Sequence, residues 1–395
     1  MTFEERLLEA VGEVGESRLG PSDPRALADA VADVSEAYTR RRDRLERLGG
    51  DARALAARLR FFLPRDLPKV QTPLEELQLA GGLPRGRHWR VLDLGAGLGT
   101  TTLGVARFAA RTGTADRITA VAIDRDGRAL ALLRDLAARS ERMGLVPIHV
   151  ETHAGDLGSL RPSDLTGPFD LVLLGFVLNE LTTAPPDDVR AVESLSRVLA
   201  DWSRVLDEKG ALLVLEPALR DTSRRLQAVR DRIVATPGPP HVFAPCLGVD
   251  ACPMLATPRD WCHTDRPGPL PEPVAEIARG AGLRTERRTA SHLTLRWLEG
   301  SLAAGAHGVP GTAYRVVSAP LRSKGKLEVV GCGTGGLVRL MRLDRHASPT
   351  NRALDAVHRG AVLSVDGGRP RGERLRIEAE DPVHPVGPDP KEGEG

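Results

Sequence analysis

A short apolar stretch running straight into alternating glycines, Val91-Leu-Asp-Leu-Gly-Ala-Gly-Leu-Gly-Thr100, constrains this chain more than any other feature. Arg90 to Leu94 reads as a buried strand, and the sequence beyond the glycines reads as a helix to about Arg111. Glycines spaced G-x-G-x-G at such a junction let the backbone pass close to a ligand at a helix N-terminus. A dinucleotide-binding loop would read G-x-G-x-x-G, but position 100 is Thr.

The pattern repeats downstream. Strands are expected at 118–124, 148–152, 169–174 and 211–216, with helices between them, the last from about 187 to 206. This alternation implies a parallel sheet with helices on both faces. The fold class expected is α/β, with a Rossmann-like core of the class I S-adenosylmethionine-dependent methyltransferase type. Asp93 stands two residues before the first glycine, as in S-adenosylmethionine loops, and Asp124 ends the second strand, where a carboxylate can accept both ribose hydroxyls. Asp156 falls where such folds meet adenine. Asp93, Gly95, Gly97, Gly99, Asp124 and Asp156 are therefore the candidate residues for S-adenosylmethionine, placed at the switch point of a doubly wound sheet. Separately, an acid at a strand end can be a helix cap and a glycine only a turn; it is their register that points to a cofactor.

The turn after the fourth strand, Gly175-Phe-Val-Leu-Asn-Glu-Leu181, lacks the Asn-Pro-Pro-aromatic motif of amino-directed nucleic-acid methyltransferases. Asn179 and Glu180 are weak catalytic candidates, and capping of the next helix is the favoured reading. No catalytic base stands out.

Cysteine usage is lopsided. The first 245 residues have none; Cys246, Cys252, Cys262 and Cys332 follow with spacing C-x5-C-x9-C-x69-C. Structural zinc sites usually show knuckles of two to four intervening residues. None is present, which favours an iron–sulfur cluster on four thiolates, with zinc as the alternative because His241 and His263 are spare donors. Buried, unligated thiols are the plain alternative. A ligand at Cys332 would clip the C-terminal strands expected at 313–317, 326–330 and 337–341 to the cysteine segment.

Four regions follow: a helical region at 1–85, the Rossmann-like core at 86–235, a cysteine-rich metal-binding segment with a basic β extension at 236–345, and a C-terminal extension at 346–395. The last fifteen residues, rich in Pro, Gly and acid, are expected to be disordered. Arg40, Arg41, Arg42, Arg44 and Arg47 form a basic stripe whose favoured reading is a solvated helix face.

Net charge is only +2, so any nucleic-acid surface must be local, and 3% aromatic content argues against one built on base stacking. The N-terminus lacks an apolar signal core, and the longest apolar run, 171–178, is too short to cross a bilayer. A cytoplasmic monomer without membrane contact is expected, and in a reducing compartment clustered cysteines favour metal over disulfides.

Five segments together resemble the Rsm22 family of methyltransferase-like proteins of the small ribosomal subunit, which includes mitochondrial methyltransferase-like protein 17. They are Leu92-Asp-Leu-Gly-Ala-Gly-Leu-Gly99, Phe176-Val-Leu-Asn-Glu-Leu181, Glu216-Pro217, Cys246…Cys252-Pro253…Asp260-Trp-Cys-His263, and Pro320-Leu-Arg-Ser-Lys-Gly-Lys-Leu327 followed by Cys332. The resemblance spans roughly 30–345, and its cysteine pattern is the most specific part. It implies a [4Fe–4S] cluster on Cys246, Cys252, Cys262 and Cys332, and an S-adenosylmethionine pocket lined by Gly95, Gly97 and Asp124. It also implies binding to 16S-type rRNA of the small ribosomal subunit during assembly, and rRNA methylation as the annotated activity of the family. Beside such a cluster, the basic residues Arg315, Arg322, Lys324, Lys326, Arg339, Arg342 and Arg345 gain meaning as an RNA phosphate surface read by shape. The competing expectation is a small-molecule methyltransferase with a zinc-stapled lid; scarce aromatics count against it.

Overall fold

The computed structural model describes residues 1–39 and 51–387. The basic stripe at Arg40–Arg47 lies outside the described residues. Helix α1 (Phe3–Leu19) starts where Thr2 and Glu5 cap each other, and it buries Leu7, Val11 and Val14. Helix α2 (Pro24–Thr39) buries Leu27, Val31 and Val34. Both match the helical spacing of their apolar residues. A broken helical run follows: α3 (Ala52–Ala57), a π turn at Arg58–Phe62, α4 (Leu63–Asp66), a 3₁₀ turn, and α5 (Gln71–Leu79).

The core sheet holds β1 (His88–Leu94), β2 (Arg117–Asp124), β3 (Ile148–Ala154), β4 (Phe169–Gly175) and β5 (Leu206–Glu216), all parallel, in the order β3-β2-β1-β4-β5. Between them run α6 (Thr100–Thr112), α7 (Gly127–Ala137) and α8 (Val189–Ser203), and α9 (Arg220–Val234) follows β5. The central strand β4 and the second half of β5 are buried apolar runs because both faces are covered, whereas the edge strand β3 exposes His149, Glu151 and His153. Leu171 and Leu173 pack toward the side of α1, α5 and α6, whereas Val172 and Leu174 pack toward α8 and α9.

The sheet does not stop at residue 235. β6 (His241–Ala244) and β7 (Thr264–Pro267) both pair with β8 (Arg287–Arg296), after the short helix α10 (Glu272–Gly280). β8 runs antiparallel to β5, and the order becomes β3-β2-β1-β4-β5-β8-β6. A doubly wound parallel sheet closed by an antiparallel strand beyond β5 is the class I methyltransferase-like arrangement.

A second sheet forms from β9 (Thr312–Val316), β10 (Leu321–Ser323), β11 (Lys326–Gly333), β12 (Gly336–Leu343), β13 (Val362–Val365), β14 (Arg369–Arg371), β15 (Arg374–Ile377) and β16 (Val383–Val386). Its order is β14-β15-β12-β11-β9-β13-β16, with β10 on β11. The stretch beyond 345 thus completes the sheet that the basic strands begin. The expected disorder of the last fifteen residues fails at 383–386: β16 pairs with β13, and Val383 is buried in the sheet's core. Residues 388–395 lie outside the described residues. Among the described residues, no helix is long and apolar enough to cross a membrane.

Candidate cofactor loop and thiol cavity

The glycine loop is tied to the end of β2. Gly95 and Ala96 donate to the Ile123 carbonyl at 2.8 and 3.0 Å. Gly97 N–H donates to Asp124 Oδ2 at 2.8 Å, and Asp126 N–H donates to Asp124 Oδ1 at 2.8 Å. The glycines do different jobs. Gly99, at φ +73°, has no room for a side chain, because a Cβ there would stand 2.1 Å from Leu133. Gly97, at φ +52°, meets only Asp124 at 3.9 Å, so this is where the backbone is open to a ligand.

Asp93 sits beneath this loop, 1% exposed, where Thr102 Oγ1 donates to its Oδ2 at 2.7 Å and Oδ1 has no partner. Burial, only partly offset by the Thr102 bonds, lifts its carboxyl to about 7. It braces the junction of β1 and α6 from below. Asp156 is exposed and turns Oδ1 back onto Gly158 N–H at 2.7 Å.

The turn after β4 departs from the capping expectation. Asp188 caps α8, and Asn179, 4% exposed, instead donates from Nδ2 to the Phe176 carbonyl at 2.9 Å. Phe176 has φ +65°, a conformation that a bulky residue rarely adopts. The Asn179 amide therefore serves this turn. Glu180 stands 3.8 Å from Arg125. Lys69, ion-paired with Asp66 at 2.8 Å, lies over the Phe176 ring, so the N-terminal helical run covers this edge.

The four cysteines, separated by up to 86 positions (332 − 246), line one cavity of about 80 Å³. Cys246 follows β6, Cys252 precedes a 3₁₀ turn, Cys262 precedes β7, and Cys332 stands on β11 opposite Arg315. All four are free, partly buried thiols. Burial and neighbouring sulfurs push Cys252 and Cys262 up to about 12 and Cys332 to about 11; burial also raises Cys246, against the pull of Arg230 and Arg315. Among the described residues, no group of three or more His, Cys, Asp or Glu is arranged to hold a metal ion. His263 lines the cavity and is lowered to about 4, mainly by burial; His241 is not among the lining residues.

Helix α9 shapes this cavity, and sequence reading missed it. Arg224 donates to the Thr257 and Asp260 carbonyls at 2.6 and 2.7 Å, and Gln227 to the Cys262 carbonyl at 3.2 Å. Arg230 donates to the Gly248 carbonyl at 2.6 Å and to that of Asp250, while Asp231 accepts from Cys252 N–H at 2.9 Å. These polar residues fall three, three and one positions apart on one helix face. That spacing was the available signal; it reads as an ordinary solvated face until the loop is seen against it.

Two of the expected RNA-binding residues are corrected. Arg315 is 3% exposed and bonded to Glu76 Oε1 at 2.7 Å, while His292 holds Glu76 Oε2 at 2.8 Å. Its neighbours Arg315 and His292 hold the Glu76 carboxyl down at about 2 against the opposing effect of burial. Arg342 is 2% exposed and bonded to Asp355 at 2.7 Å and to Asn351 at 2.9 Å. They are buried on opposite faces of the second sheet: Arg342 lies on the side of Val329 and Leu340, in the sheet's own core, whereas Arg315 lies on the side of Cys332 and reaches Glu76 on α5. Arg322 and Lys326 are engaged by Asp355 at 3.3 Å and Glu328 at 2.5 Å; Lys324 and Arg339 are exposed.

No curated protein matches the chain. Among solved structures, it is similar to precorrin-6y C5,15-methyltransferase from Geobacter metallireducens (12% identity, 56% of this chain and 88% of that one, TM-score 0.31). It is also similar to the plantazolicin methyltransferase BpumL (12%, 73% and 98%, TM-score 0.32) and to phosphoethanolamine N-methyltransferase 1 of Haemonchus contortus (17%, 40% and 28%, TM-score 0.25). At such scores the fold rests on the strand order rather than on these likenesses. The family described as mitochondrial small ribosomal subunit Rsm22 matches residues 70–339, from the last residue before α5 to the middle of β12. That span takes in the glycine loop, the turn after β4 and all four cysteines, and the chain belongs to the Rsm22 family.

Proposed function

We propose that this protein is an S-adenosylmethionine-binding, [4Fe–4S]-braced factor that acts on small-subunit rRNA in ribosome assembly. The observation that carries the reading is the thiol cavity. Cysteines from the 245–263 loop and from β11 converge with two buried arginines, Arg230 and Arg315, whose Nε atoms lack partners, as does Arg315 Nη2. Buried guanidinium nitrogens without partners are costly unless something anionic completes them. Four thiolates around an iron–sulfur core supply that charge. The set therefore fits the group, with Cys246, Cys252, Cys262 and Cys332 as the residues that would hold it. When bound, such a cluster cross-links the chain and can exchange electrons. The alternative is a single zinc ion on the same thiols, which would need the sulfurs at about 2.3 Å from one point.

S-adenosylmethionine binding is supported by the open Gly97 and by Asp124 beside it, and the small-subunit rRNA by family membership. Methyl transfer has less support, since Asn179 serves its own turn and Glu180 lies near Arg125. Iron, zinc and acid-labile sulfide should be assayed in protein purified without oxygen. About four iron and four sulfide per chain are expected; one zinc and no sulfide would sink the cluster and reopen small-molecule methylation. Transfer of labelled methyl to rRNA would establish catalysis, and its absence with S-adenosylmethionine bound would leave an assembly factor that keeps the cofactor site.

A further inference from the structure

We infer that the outer face of β12, β15 and β14 is the surface that grips the RNA phosphate backbone. This inference rests on the rRNA reading above; it keeps Arg339 of the expected basic strands and extends the contact to β14 and β15, where no site was expected. The strand register does the work. β12 pairs with β15 so that Arg339 lies beside Arg374, and β15 pairs with β14 so that Arg374 lies beside Arg371. The same pairing sets Arg376 beside Arg369, two residues along on each strand. The alternate positions, Leu340 and Leu375, pack into the sheet's core, so all five arginines share the outward face.

Side chains directly opposite on neighbouring strands have Cβ atoms about 4.5–5.5 Å apart, and like charges there are destabilising. Only part of this charge is neutralised within the chain. Arg376 is held by Glu378 at 2.9 Å, and Arg374 stands 3.6 Å from Glu328, a carboxylate already shared with Lys326. Arg339, Arg369 and Arg371 are exposed and make no side-chain hydrogen bond or short ion pair among the described residues. One ordinary reason for such charge is protection of an edge strand, and β14 is an edge with Pro370 in its middle. Edge protection accounts for Arg369 and Arg371. It does not account for Arg339 and Arg374, which stand on the interior strands β12 and β15.

A row of guanidinium groups on one face of a sheet suits phosphate, which each can hold through two parallel hydrogen bonds. β12, β14 and β15 contain no Phe, Tyr or Trp, so the face lacks a platform for stacking bases. The contact is therefore to the backbone and blind to sequence, and its strength falls steeply with salt.

The test uses the full-length protein and a fluorescein-labelled RNA hairpin, titrated at several salt concentrations. The triple variant Arg339→Gln, Arg371→Gln, Arg374→Gln is compared with wild type and with Arg190→Gln, Arg197→Gln on α8. Thermal melting confirms that each is folded. The triple variant is expected to bind at least about tenfold more weakly, with a salt slope shallower by roughly two to three, while the α8 variant binds as wild type does. Tight binding by wild type and triple variant alike would overturn this face and leave the rRNA reading intact. A wild type that ignores RNA but binds phosphatidylglycerol vesicles would overturn both.

Discussion

Asp93 shows how much one buried carboxyl can set. Its oxygen without a partner lies under the cofactor loop, and burial holds its proton on to about pH 7. In the unfolded chain the group ionises near its ordinary 3.8. Between those values the folded state binds more protons, so Asp93 makes stability fall as pH rises from about 4 to 7. Asp93→Asn should flatten that part of the stability–pH curve, read by urea unfolding from pH 4.5 to 8. An unchanged slope would show that Asp93 is ionised in the fold. Asp124 acts on the other side of the loop, where its two oxygens hold Gly97 and Asp126. Asp124→Ala should weaken S-adenosylmethionine binding by about tenfold, equal to about 1.4 kcal/mol. Equal affinity by calorimetry would remove Asp124 from the pocket.

At the scale of elements, α9 is the template for the loop that carries three of the four cysteines. A loop of this length, 245–263, has few backbone partners of its own, and its carbonyls at Gly248, Asp250, Thr257, Asp260 and Cys262 are met instead by Arg230, Arg224 and Gln227. Removing a charged donor from partly buried carbonyls costs up to about 1.5–3 kcal/mol. Arg230→Met should therefore lower the melting temperature and the iron content together. A melting temperature within error of wild type would mean that the loop holds its shape without α9. The signal was present in the sequence as polar residues at helical spacing. It was not legible, because the same pattern describes any solvated helix, and only the docked loop distinguishes the two.

Over the whole molecule, the thiol cavity is where the parallel core and the C-terminal sheet meet. Cys332 comes from the second sheet, while Cys246, Cys252 and Cys262 come from the edge of the first. Arg315 reinforces the seam from β9 by reaching Glu76 on α5 and, through it, His292 on β8. A group bound by all four thiols closes a long loop and ties folding to its presence. Cys332→Ser should release iron and raise amide hydrogen exchange across β9, β11 and β12, with the β1–β4 core unchanged. Unaltered exchange and iron content would show that the sheets hold together without it.

Much of this protein was readable along the chain. The alternation of apolar runs with amphipathic segments marked the strands and helices of the parallel core, and the glycine loop with Asp124 marked where a cofactor site is expected, because both are local patterns of period and turn chemistry. Cysteine spacing marked the four thiols that the structure brings to one cavity. The tertiary structure decided what local pattern cannot carry. It buried Arg315 and Arg342 on opposite faces of the second sheet, since a strand's alternate residues look alike until the register says what packs on each face. It brought residues 383–386 into a sheet, since a short Pro-flanked strand is stable only when a partner strand supplies its hydrogen bonds. It also set five arginines from three strands side by side, and that juxtaposition exists only in the register between them.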